Sequence, residues 1–67
     1  MTKNESRVLG YISNYINKHG YSPSFQEIAN DLKFKSSSQT HGICMRLINK
    51  GKLKRGKPHE VRSLEVI

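Results

Sequence analysis

Apolar positions along this chain fall into three groups of helical period, followed by one short alternating run. Val8, Ile12, Tyr15 and Ile16 recur at i, i+4, i+7 and i+8, which puts them on one face of a helix over 3–18. Phe25, Ile28, Ala29 and Leu32 repeat at i, i+3, i+4 and i+7, so a second helix over 25–33 turns Gln26, Asn30 and Asp31 to water. Thr40, Ile43, Cys44, Leu47 and Ile48 carry the same period through a third helix that begins at a Ser36 cap and ends near Gly51. Beyond Gly51 the period changes. Leu53 stands among Lys52, Lys54 and Arg55, then Gly56-Lys57-Pro58-His59 interrupts, and 61–67 alternates with Leu64 and Val66 on one side. That pattern reads as a strand, a basic loop and a second strand.

The helix boundaries are marked as well. Each predicted helix follows a Ser or Thr with Glu or Gln three positions on: Thr2/Glu5, Ser24/Glu27 and Ser36/Gln39. In such a capping box the hydroxyl accepts from the amide three residues on, and the later side chain bonds back to the amide of the cap residue. Gly20 and Gly51 stand just past the first and third helices, where a left-handed residue closes the last turn. Pro23 biases Ser22 away from helical geometry, so the chain breaks there and restarts at Ser24. The pattern shows no internal repeat and no linker, and residues 1–67 read as one domain.

A chain of 67 residues buries only about 60% of its unfolded surface, which leaves no room for a deep catalytic cleft. Cys44 is the single cysteine, so an internal disulfide is excluded, and its place on an apolar stripe reads as a small core residue. His19, His41 and His59 are far apart, and no CxxC, HExxH, glycine-rich phosphate loop or nucleophile motif occurs. The expectation is a non-enzyme with no metal, no cofactor and no small-molecule substrate. The first residues lack the apolar run of a signal peptide, and no stretch approaches the roughly 18 apolar residues of a membrane span. A cytoplasmic protein with no membrane partner is expected.

Charge points to the partner. Twelve Lys and Arg against five Asp and Glu give a net +7, which favours a polyanion. The excess is uneven, because nine basic and two acidic residues lie from Lys33 onward, while residues 1–32 hold three of each. Two short helices joined by a tight turn, the second starting with small polar residues, make a helix-turn-helix whose second helix enters the DNA major groove N-terminus first. The basic hairpin after it is a wing. The expected fold class is therefore mostly α with a small β-hairpin, a winged helix-turn-helix, and the expected partner is double-stranded DNA. Lys35, Ser37, Arg46, Lys54, Arg55 and Lys57 are the candidates for phosphate contact. Gln39 is the leading candidate for a base contact, since Gln bonds bidentately to adenine. Plainer readings stand beside these: a serine-rich helix start is a solvated cap worth about 1 kcal/mol, His41 a surface histidine, and a basic run a solvated face.

The segment GYSPSFQEIANDLKFKSSSQTHGICMRLINKGKL resembles the N-terminal DNA-binding domain of the LexA repressor family, with its G-x-x-P-[ST]-x-x-E-I-A-x-x-L-x-[FL] signature and a later K-G before the wing. Here the signature is Gly20, Pro23, Ser24, Glu27, Ile28, Ala29, Leu32 and Phe34, followed by Lys50 and Gly51. The resemblance implies a bacterial or phage transcriptional regulator, a repressor, with base-reading positions at Ser36, Ser38, Gln39, His41 and Gly42. The family pattern has an acidic pair where this chain has His41 and Gly42, which implies a different operator. LexA proper also has a C-terminal domain with a Ser-Lys dyad that cuts its own linker and supplies the dimer contact. These residues have no counterpart of it, so the expectation is either an excised fragment or a small stand-alone regulator. Three functions stay open: a sequence-specific repressor, with a homodimer on a palindromic site as one arrangement left open, a phage or mobile-element module that binds a host or replication protein, and non-specific nucleic-acid binding by charge. Fold does not choose among them.

Overall fold

The computed structural model describes residues 1–56 and 64–67. Thr2 opens α1 (Lys3–His19) with a reciprocal capping box, its hydroxyl accepting from the Glu5 amide at 3.1 Å while its own amide donates to Glu5 Oε1 at 3.3 Å. Gly20, left-handed at φ 82°, closes the helix by donating to the Ile16 carbonyl at 2.8 Å. Ser24 and Glu27 repeat the capping box at the start of α2 (Phe25–Leu32), with bonds of 3.1 and 2.9 Å.

The second helix ends at Leu32, where its apolar period ends, one residue short of the expected 25–33. Lys33 adopts φ 60° and ψ 39°, and its amide and that of Phe34 both donate to the Ala29 carbonyl. Arg7 satisfies a further orphan carbonyl at that end, donating from Nη2 to the Leu32 oxygen at 2.9 Å with its guanidinium 5.4 Å from the centre of the Phe34 ring. Ser36 then caps α3 (Ser37–Asn49), accepting from the Gln39 amide at 3.3 Å. The box is not reciprocal here: Gln39 Oε1 accepts from the Lys35 amide at 3.3 Å. Ser36 has φ −157°, against −71° and −77° at the other two caps, and this turns its amide away from the Gln39 side chain. Past the helix, Gly51 at φ 76° donates to Ile48 and Lys52 to Leu47, which is a complete Schellman closure.

The chain then forms β1 (Leu53–Arg55) and β2 (Leu64–Val66), antiparallel, with Leu53 opposite Val66, Lys54 opposite Glu65 and Arg55 opposite Leu64. The predicted loop from Lys57 on and the predicted strand start at Val61 lie outside the described residues. Leu53 and Leu64 share the inner face and are buried, whereas Val66, on the same face, is 41% exposed at the open end. They complete one core with Val8, Ile12, Ile28, Ile43, Cys44 and Leu47. Ser22, buried in the turn before α2, accepts from the Leu64 amide at 3.1 Å and so ties the returning strand to the helices. Three helices followed by a two-stranded sheet, with α3 packed on α1, α2 and β1, make a winged helix-turn-helix.

Candidate nucleic-acid interface

The buried side of α3 is Thr40, Ile43, Cys44 and Leu47. At 3.6 residues per turn, the line directly opposite is Ser38, Gly42, Met45 and Asn49, with Gln39 and Arg46 along one flank and His41 along the other. Ser38, Gln39 and His41 are exposed, and Gly42 and Met45 are half-buried. The first two turns thus bring four of the five predicted base-reading residues onto one outward face. Ser36, the fifth, stands at the cap with its hydroxyl engaged by the Gln39 amide. Met45 and Asn49 were not among the predicted residues, yet the core stripe itself implies them, since they lie half a turn from it.

Each flank is held by a different helix. The His41 ring meets the Phe25 ring edge-on, 5.3 Å between centroids at 89°, so the first residue of α2 fixes the imidazole of α3. On the other flank Glu5 of α1 is 1% exposed and accepts from Arg46 Nε at 3.2 Å and Lys50 Nζ at 2.5 Å. The Lys50 hydrogen bond, helped by the Thr2 amide and Arg46, outweighs burial and holds the Glu5 carboxyl at about 2. Arg46 is therefore engaged with a carboxylate rather than free, although its side chain remains 56% exposed.

The remaining phosphate candidates are more scattered. Lys35 is exposed just before the cap, Ser37 is half-buried in the first turn, and Lys54 and Arg55 are exposed on β1, while Lys57 lies outside the described residues. Burial pushes the Cys44 thiol up to about 11, leaving it neutral inside the core. A Cβ built on Gly42 meets nothing within 4 Å, so packing inside the chain does not require glycine there. Among the described residues no three His, Cys, Asp or Glu side chains group to hold a metal, and no helix is long and apolar enough to cross a membrane.

The LexA DNA-binding domain family model matches residues 1–63. The chain belongs to that family. Similar proteins include the LexA repressor of Staphylococcus haemolyticus, 37% identical over 67 residues, and that of Limosilactobacillus fermentum, 38% identical over 65. The LexA repressor of Staphylococcus aureus is 36% identical over 67 residues. The alignments take in 97–100% of this chain but 31–32% of those relatives, so the chain spans about a third of their length. In this LexA-type domain the matched region contains all three helices and β1, so the outward face of α3 and both of its flanking anchors fall inside it.

Proposed function

We propose that this domain is the sequence-specific, double-stranded DNA-binding unit of a transcriptional repressor. The observation that carries the reading is the polar outward face of the first two turns of α3, set beside exposed cations in a chain of net charge +7. Ser38, Gln39, His41 and Gly42 face the base edges of the major groove, and Gln39 is suited to adenine. In the free protein Gln39 is held by one exposed bond to the Lys35 amide, which a base edge replaces at little cost. Lys35, Ser37, Lys54, Arg55 and Lys57 take backbone phosphates, with the sheet as the wing. The name repressor carried by the similar proteins supports regulation as the outcome. A pair of domains on a palindromic site, in the cytoplasm, completes the proposal.

Selection of bound duplexes from a random-sequence pool tests it directly. The expected result is one enriched motif, preferred over scrambled DNA by at least about 10³ at physiological salt. Two half-sites related by symmetry would report binding as a pair. Weak, salt-sensitive binding to every duplex, with no enrichment, overturns the proposal.

A further inference from the structure

A carboxylate is seldom buried unless it is paired, yet Glu5 is only 1% exposed. Capping alone does not account for its charge, because the bond to the Thr2 amide is one that a glutamine also makes. What needs the charge is α3. Glu5 Oε1 accepts from Lys50 Nζ at 2.5 Å and Oε2 from Arg46 Nε at 3.2 Å, contacts that reach 45 and 41 residues along the chain. Both cations keep about half of their side-chain surface in water, 46% for Lys50 and 56% for Arg46.

The guanidinium has five donors in a fixed fork. With Nε given to Glu5, the two Nη atoms have no partner among the described residues. Arg46 also lies seven residues after Gln39, on the same flank of α3 and about 10 Å further along its axis. If the helix reads bases at Gln39, this flank runs out toward the strand backbone.

We propose that Glu5 is a positioning residue for DNA recognition: it anchors Arg46, with Lys50 beside it, so that the free edge of the guanidinium meets one backbone phosphodiester and fixes the register of α3 in the groove. This rests on the reading of α3 as the groove helix. A loose arginine finds a phosphate on any duplex, whereas an anchored one favours the duplex whose phosphate stands where the fork points. Glu5 also removes one unit of attraction to all DNA. It therefore trades general affinity for discrimination.

The test uses the whole chain with its selected duplex and a scrambled one, comparing wild type, Glu5→Gln, Arg46→Lys and the double variant at several salt concentrations. Glu5→Gln is expected to bind the scrambled duplex a few-fold more tightly while its preference for the selected duplex falls about tenfold. Arg46→Lys keeps the charge but loses the fork, and it is expected to lose a similar factor of preference. The double variant is expected to lose no more than either single one. An equal shift on both duplexes, or single effects that multiply, overturns the proposal. If Glu5→Gln fails to fold, Arg46→Lys decides alone: unchanged preference rejects the proposal. A wild type without any preferred duplex rejects the parent reading instead, and the proposal falls with it, an outcome distinct from a wild-type preference that Glu5→Gln leaves intact.

Discussion

Lys33 holds the turn of the helix-turn-helix in a left-handed conformation, φ 60° and ψ 39°, which costs a residue with a Cβ about 1–2 kcal/mol. Lys33→Gly removes that cost but gains unfolded-chain entropy, for a net stabilisation of about 0.5–1 kcal/mol. A thermal melt followed by circular dichroism should show a midpoint raised by a few degrees, and no rise would mean the turn is not strained. Nothing in the sequence announces this position, because a lysine carries no left-handed signal and the apolar period runs on to Leu32 without a break. Gly42 is the reverse case. A glycine inside a helix is conspicuous in the sequence, and the structure shows open space around its absent Cβ. Gly42→Ala should therefore stabilise the free domain by about 0.8–1.0 kcal/mol. If the backbone approaches the groove closely there, the same variant should bind its selected duplex more weakly. Equal binding in a fluorescence titration would leave Gly42 as a merely tolerated residue.

At the scale of elements, the helices were legible because each apolar stripe comes with a cap, and caps and stripes act locally. The third capping box shows the limit, since the Ser36/Gln39 spacing is right but the chain enters α3 too extended for the bond back to Ser36. Strand limits were less legible, because alternation shows only on the inner face and only Leu53 and Leu64 of that face are buried. Glu5 was legible as a cap and not as an anchor: no local pattern links it to Arg46 and Lys50 across the chain. That anchor has a thermodynamic signature. The Glu5 carboxyl falls from an ordinary 4.5 to about 2 on folding, so the unfolded chain takes up its proton first as pH drops. The ion pairs contribute fully above about 4.5, and that contribution drains away as pH falls toward 2. Melts in half-unit pH steps should show the midpoint falling across this window, with a shallower fall for Glu5→Gln. Parallel curves for the two proteins would mean the carboxylate does not join α1 to α3 in solution.

Over the whole molecule, the basic half is legible from composition, but composition cannot say which cations meet phosphate. The sheet register separates two of them. Lys54 stands opposite Glu65, whose charge offsets it, whereas Arg55 stands opposite Leu64, which carries none. Binding to DNA releases condensed counterions, and log K falls against log salt with a slope of about −0.9 for each phosphate contact. Arg55→Ala should then flatten the slope by nearly one full contact, and Lys54→Ala by less. Both variants should weaken selected and scrambled duplexes alike, because a phosphate contact carries no sequence information. Gln39→Ala gives the contrast: a loss of about 1–3 kcal/mol on the selected duplex, little on the scrambled one and an unchanged slope. The two patterns are independent, so they can fail separately. A wing variant that leaves the slope untouched would take the sheet out of the interface, while a Gln39 variant that weakens both duplexes equally would leave α3 gripping the groove without reading it.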